Sequence, residues 1–442
     1  MRYIRLLRNV TNCELDPDGF DRYIFPDYEF RLCKGKERAK QRLMRDFPNR
    51  EKETNKFFTM LEKITKAVSE SMSVQSGRLG SLSFLLKHPV LVKYSRVPFQ
   101  RLLDEVTSDT LLQAVLAAPC GTYGLPPAKA SVIVAMVVWN HYFDGAYYPQ
   151  GGSGALRDAF TNALTKHGAE IKNLSRVVSI DRKGGEFLVQ TQSGEIYTAL
   201  SIISNADPAI TLGTLVKANL VPYKIRQKVK RLRPSLAVFY AFVGTDLDLP
   251  SLGMTGANIH HYEDIDLNKI YNSQSVPHRV ENVDGFFITS PSVKDPAGKH
   301  APPNRHTLEI VRGISYESFA RWAAFPSGKR GEDYEFFKKH IGEGLLKAAE
   351  KYIPDLSGHL EYVEYATPLS SEYWVNAVKG GCYGPEQSPD QMGPGRFSDF
   401  ASGIDGLFLA GAGTIGGGIM PCVLSGIRSA KKASEFLKSS RR

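Results

Sequence analysis

Near its C-terminus the sequence runs from an apolar strand, Gly406 to Ala410, through Gly411-Ala-Gly-Thr-Ile-Gly-Gly-Gly-Ile-Met-Pro421 into a helix reaching about Leu437. Five glycines between positions 411 and 418 leave backbone that no side chain shields, so a flat ring or a phosphate can approach it closely. The helix that follows supplies free N–H groups and the positive end of its dipole, which stabilise an anion. Strand, glycine turn and helix in that order point to a layered α/β fold. Alone, such a turn is a weak signal, and a tight structural connection is the commoner use of one. A second part of the cradle elsewhere in the chain is needed to decide.

The stretch from 146 to 207 supplies it. Ala146-Tyr-Tyr-Pro149 leads into Gly151-Gly-Ser-Gly154, which opens a helix from Ala155 to His167 with Gly168 placed as its C-cap. A short strand is expected at Ile171, another at Arg176–Ile180 and a third at Glu186–Gln192. Ser193-Gly194 makes a hairpin turn before Glu195–Ala199, and Leu200–Ser204 reads as a buried strand stopping at Asn205-Ala-Asp-Pro208.

This ordered block resembles the second half of the FAD domain in the glutathione-reductase-like superfamily. The resemblance implies that Val177, opening a Val-x-x-Ile strand, bonds the adenine through its backbone. Further motifs narrow it: Thr122-Tyr-Gly-Leu-Pro-Pro127, Asn140-His-Tyr142, Gly145 to Gly152, Ser290-Pro-Ser-Val-Lys-Asp-Pro296, Lys329 to Glu335, Thr367-Pro-Leu369 and Gly380-Gly-Cys-Tyr-Gly384. Together they are similar to the FAD-dependent carotenoid and retinoid oxidoreductases, the group of phytoene desaturases, prolycopene isomerases and all-trans-retinol 13,14-reductases. It covers nearly the whole chain, although Gly411-Ala-Gly-Thr414 is nearer the carotenoid desaturase form.

It implies an FAD cofactor contacted by Gly151, Gly152, Val177, Gly411, Ala412, Gly413, Gly418 and Ile419. A reduced flavin is negative near N1 and the C2 carbonyl, which suits the helix end after Gly418. It also implies chemistry at a carbon–carbon double bond of a retinoid, carotenoid or similar long apolar lipid: saturation, desaturation or redox-linked isomerisation. In such chemistry the flavin carries the electrons and the protein orients the polyene and excludes water, so no catalytic side chain is assigned.

One departure stands out. Family members begin with a strand, Gly-x-Gly-x-x-Gly, a helix and an acidic residue about twenty positions on, which grip the pyrophosphate and ribose. Nothing before Gly145 fits, since Gly77-Arg-Leu-Gly80 has neither the spacing nor a preceding strand. The expectation is a glutathione-reductase-like α/β fold, incomplete at its N-terminus, with an inserted α+β substrate domain. Its flavin part would comprise 145–220 and 395–442. Residues 1–144, helical from about 51 to 143, and 221–394 would form the substrate domain. The alternative is a shortened, FAD-deficient and non-catalytic remnant.

Composition bounds the partners. Lys and Arg outnumber Asp and Glu by 56 to 46 in 442 residues, a net charge of +10 that suits an anionic membrane surface or a phosphate-bearing cofactor. The basic residues are dispersed and no aromatic–basic motif appears, so nucleic acid is not expected. Five cysteines, none in a CxxC pair, argue against a disulfide framework and fit an intracellular, reducing compartment. The longest apolar run, Val132–Trp139, is far short of the ~20 residues of a membrane span, so any membrane contact is peripheral. The segment Ser81 to Phe99, with Lys87, Lys93 and Arg96, reads either as interfacial or as a core-facing helix pair broken at Pro89 and Pro98. His141 reads as a proton donor near the flavin or as a structural histidine, and Asp144 and Tyr148 as channel or turn residues. His260-His261 has no third ligand at metal spacing, and no metal is expected.

Overall fold

The computed structural model describes residues 10–71, 86–277, 279–397 and 400–440. Gly77–Gly80 and the first part of the Ser81–Phe99 segment lie outside them. Among the described residues fourteen strands follow one another: β1 Asn12–Glu14, β2 Asp21–Phe25, β3 Tyr28–Leu32, β4 Tyr147–Pro149, β5 Val177–Lys183, β6 Glu186–Thr191, β7 Ile196–Ala199, β8 Ile202–Ser204, β9 Ala237–Thr245, β10 Asn258–Tyr262, β11 Gly285–Thr289, β12 His306–Ile314, β13 Leu360–Ala366 and β14 Leu407–Leu409.

Seven of them build one mixed sheet in the order β13-β9-β12-β11-β10-β2-β3. Its neighbours are antiparallel except β10 and β2, which run parallel with Asn258 opposite Asp21 and His260 opposite Tyr23. Side chains alternate between the two faces of a strand, so each face collects every second residue. On one face Phe239, Ala241, Val243, Ile288, Leu308 and Ile310 are buried with Ile341, Leu345 and Leu346 of the helix Glu332–Ala349. The opposite face collects Tyr240, His260, Phe287, Glu309 and Val311, and forms the floor of the cavity described below.

A helical layer covers that second face at its β2–β3 end. In the helix Glu51–Ser71, buried Phe57, Phe58, Leu61 and Ile64 recur at helical spacing. They pack with Trp139 of the helix Val132–Tyr142, whose indole N–H donates to the Leu116 carbonyl at 2.8 Å.

Of the remaining strands, β1 and β4 pair antiparallel with each other, and a smaller unit carries the other five. β5, β6 and β7 form an antiparallel meander, and β8 pairs parallel with β14, matching Ile202 with Leu407 and Ser204 with Leu409. Its core is modest: Ile180, Phe187, Leu212, Val216, Val221, Phe397, Leu407 and Leu409.

Some elements differ from the sequence-based expectation. Residues around Ile171 form no strand; Ile171 is 44% exposed and has no sheet to pack on. The stretch Leu200–Ser204 is shorter than expected and is not buried, because among the described residues β8 has β14 as its one strand partner and Ile203 stays 42% exposed. Pro89 and Pro98 mark helix starts rather than breaks, since proline suits the first helical turn: the helices are Pro89–Tyr94 and Phe99–Val106. β10 and β13 were not anticipated, their alternation being obscured by His260-His261 and by the exposed face of β13. Among the described residues no helix is long and apolar enough to cross a membrane.

Replacing Trp139 by Phe removes the indole donor and leaves the Leu116 carbonyl unpaired in the core. The expected cost is about 1–3 kcal/mol, read as a lowered midpoint in denaturant unfolding.

Candidate functional site: a glycine turn beside an aromatic cavity

Parallel pairing of β14 with β8 brings the loops at their carboxyl ends side by side, Asn205–Pro208 next to Gly411–Gly418. In open α/β sheets this is where ligands bind. The Ala410 amide donates to the Ser204 carbonyl at 2.8 Å and the Gly411 amide to Ser425 Oγ at 2.7 Å, which fixes the start of the turn. Gly411 has φ +83°, and a Cβ there would stand 2.4 Å from Asn205 Oδ1, so conformation and space both demand glycine. Thr414 closes the turn by donating its amide and hydroxyl to the Gly411 carbonyl at 3.1 and 2.7 Å. Ala412 is tied from the other side by Arg396 Nε at 3.2 Å.

Arg396 had no signal in the sequence. Its guanidinium is 1% exposed and is pressed down to a pKa of about 10 by burial, with Asp207 the main opposing charge. It also donates to the carbonyls of Pro385 and Glu386. Asp207, whose carboxyl is pushed up by burial, caps the following turn through the Ala209 amide at 2.7 Å.

The helix Ile419–Ser439 starts at Gly418, φ +104°, with no side-chain cap. Pro421 brings no N–H, so the Ile419 and Met420 amides are the donors left at this end. An uncapped 21-residue helix behind a bare turn fits the electron-rich edge of a flavin.

Gly151 and Gly152 have φ of +82° and +70°, but the Gly151 amide donates to Asp295 Oδ2 at 2.7 Å, and a Cβ at Gly152 would meet His300 and Tyr148. These glycines therefore join the helix Gly152–Lys166 to the loop after β11. Val177 begins β5 opposite Thr191 and packs on the small core. His141 is exposed and does not line the cavity, because its helix turns Trp139 and Tyr142 inward instead. Asp144 is exposed too, while Tyr148 packs under Lys294 and beside His300. Among the described residues no group of three or more His, Cys, Asp or Glu is placed to hold a metal.

Next to the turn lies a cavity of about 430 Å³. Tyr383 links the two. A Cβ on Gly417 would touch Tyr383 at 2.9 Å, its ring packs over Gly124, and its hydroxyl donates to the Gly121 carbonyl at 3.1 Å. The walls are Tyr142, Tyr240, Tyr262, Tyr271, Phe287 and Val311, with Thr122, Gly124 and Cys382 between them. Three motifs far apart in sequence, at 122–127, 140–142 and 380–384, thus converge on one cavity.

At its β10–β2 side the cavity turns polar. Asp21, 2% exposed, accepts from Asn258 Nδ2 at 2.7 Å and from the Tyr23 hydroxyl at 3.3 Å. Burial disfavours its charge, but His260, Asn258 and Lys294 outweigh that and hold the carboxyl below its usual range. Lys294 donates to Asn258 Oδ1 and to Thr289 Oγ1; burial pushes its pKa down to about 8, against the pull of Asp21 and Glu309. Glu309 is pushed up by burial, with Lys294 opposing. His261 points to the other face, where it bonds Tyr352 and Glu263 at 2.7 and 2.6 Å. The sequence showed the two histidines only as a failed metal pair.

The model of the family of flavin containing amine oxidoreductases matches residues 5–433, and the chain belongs to that family. Among curated relatives, all-trans-retinol 13,14-reductase of Macaca fascicularis is 28% identical over 87% of this chain and 66% of its own length. The chloroplastic prolycopene isomerase of Arabidopsis thaliana is 26% identical over 68% of this chain and 47% of its own length. The chain thus spans just under two thirds of the first of these and about half of the second. Both come from the group that the sequence motifs resemble. Among solved structures, cyclohexylamine oxidase from Brevibacterium oxydans superposes with a TM-score of 0.57 over 98% of this chain and 85% of its own, at 13% identity, which establishes a shared fold.

Two outcomes are expected. Gly411→Ala forces a β-carbon onto Asn205 at a left-handed φ and should destabilise the chain by more than about 1 kcal/mol, read by thermal unfolding. Lys294 has an ordinary pKa of 10.5 and a folded value of about 8, so between these the unfolded chain holds the extra proton. The stability of the wild type relative to Lys294→Met should therefore rise with pH from 8 to 10.5, by at most about 1.4 kcal/mol per pH unit, and stay level below 8.

Proposed function

We propose that the chain is an FAD-dependent oxidoreductase acting on a carbon–carbon double bond of a retinoid, carotenoid or similar long apolar lipid. The observation that carries this reading is the contact, through Tyr383, between a bare glycine turn at paired strand ends and an aromatic cavity. The curated relatives that work on retinol and prolycopene support the choice of substrate class.

In this reading residues 145–220 and 395–442 hold the cofactor and the remainder holds the substrate. Gly411, Ala412, Gly413, Gly418 and Ile419 face the flavin, Val177 the adenine, and Gly151 and Gly152 brace the helix between. FAD bound there supplies the electron pair exchanged with the double bond. The chain's own residues do the positioning. Arg396 holds Ala412 still, the Ile419 and Met420 amides would stabilise negative charge on a bound flavin, and Tyr383 stands between the turn and the cavity. Aromatic walls take up an apolar chain and keep water from the reacting carbons. Such a ligand reaches the protein from a lipid phase, and the net charge of +10 supports docking on an anionic membrane surface.

A visible spectrum of the purified chain tests the cofactor. Flavin bands near roughly 370 and 450 nm, present at isolation or after reconstitution with FAD, are expected. A protein that stays colourless after reconstitution would overturn the enzyme reading in favour of a non-catalytic family member. Chromatography of products after incubation of the reduced holoenzyme with retinoid and carotenoid substrates then separates saturation, desaturation and isomerisation.

A further inference from the structure

We infer that Asp21 and His260 form a binding subsite for a hydroxyl group carried at one end of an otherwise apolar ligand. This deepens the polyene reading above and rests on it for the apolar remainder of the ligand. The parallel register of β10 on β2 places Asn258 beside Asp21 and His260 beside Tyr23, so all four side chains rise from the face that floors the cavity. The imidazole is held on two sides, by the Tyr23 ring at 4.5 Å and by Phe287 at 4.9 Å between centroids. It is 9% exposed, and its Nε2 has no hydrogen-bond partner among the described residues. Asp21 Oδ1 lies 3.6 Å from it, beyond hydrogen-bond reach. A buried ring nitrogen facing a cavity without a partner is costly and calls for a polar atom from outside the chain.

The neighbouring groups choose that atom. Asp21 is acceptor-only when ionised, and each of its oxygens retains capacity after the bonds from Asn258 and Tyr23. The carboxylate favours the tautomer that carries a proton on Nε2. A hydroxyl is the small neutral group that accepts from Nε2–H and at the same time donates to Asp21. A carboxylate terminus would add a third acid beside Asp21 and Glu309, whose charges Lys294 already offsets. A plain hydrocarbon end would bury the site with His260 Nε2 still unpaired. Lys294 pins Asn258, and Asn258 pins Asp21, so the subsite is set before a ligand arrives.

Holoenzyme reconstituted with FAD is titrated with all-trans-retinol, its methyl ether and retinoic acid, following quenching of protein fluorescence. The wild type is expected to bind the alcohol about tenfold more tightly than the ether or the acid, the effect of one buried hydrogen bond. His260→Phe should weaken the alcohol and the ether alike, because the oxygen of each accepts from Nε2–H, and leave the alcohol only the advantage of its bond to Asp21. His260→Gln, which keeps an N–H donor at a similar reach, should recover most of that loss. Equal binding of all three ligands by the wild type, or undiminished alcohol binding by a His260→Phe protein with wild-type thermal stability, overturns the subsite and leaves the polyene reading intact. Binding of none of the three overturns both. Should His260→Phe fail to fold, the wild-type ligand series and His260→Gln decide between the same outcomes.

Discussion

Three backbone pairings, Ile202 with Leu407, Ile203 with Phe408 and Ser204 with Leu409, carry the candidate site. They join strands about two hundred residues apart in the chain and make them parallel, which puts both following loops at the same edge. The turn at Gly411 could be a simple bend if β14 stood alone. Beside Asn205 it becomes one wall of a cleft, and the glycine there is fixed by what it faces as much as by its own φ. The uncapped helix end, the Thr414 clasp and the Arg396 tether all act on a loop that this pairing has already positioned.

The second constraint is the face alternation of the seven-stranded sheet. One face packs against Ile341, Leu345 and Leu346 and is ordinary core. The other is covered at its β2–β3 end by the helices that bury Trp139 and Phe57, which leaves a roofed space over β9 to β10. Because strand residues alternate strictly, His260 and His261 end on opposite faces with opposite fates. His261 is tied to Glu263 and Tyr352, while His260 looks into the cavity. Neighbours in sequence, they share no chemistry.

Local pattern made the small unit legible: the meander from Val177 to Ala199, the glycine turns and the long C-terminal helix were all visible as strand, turn and helix signals. What stayed hidden depends on contacts between distant segments. Asp21 means little in a hairpin until β10 lies parallel to it, and Arg396 looks like any surface cation until its guanidinium is enclosed by carbonyls of 385, 386 and 412. His141 misled in the opposite direction, since a histidine inside a resembling motif is exposed while its neighbours Trp139 and Tyr142 turn inward. Motif membership located the cavity but not which side chains face it. Helix phase and strand parity decide that.

The polar cluster shows why a cavity of this kind can be mostly aromatic and still discriminate. Tyrosine and phenylalanine walls bind any flat apolar chain with little preference, because dispersion and area burial do not depend on where along the chain they act. Discrimination then falls to the few groups that lose most by being left unpaired. Asp21, Glu309 and Lys294 are already poised in a region where burial has moved each of them or been outweighed by a neighbour. Adding or removing one charge there disturbs all three, whereas lengthening the apolar part of a ligand disturbs none. A ligand end over β10 and β2 would therefore be read by chemistry, and a part toward Tyr383 by shape.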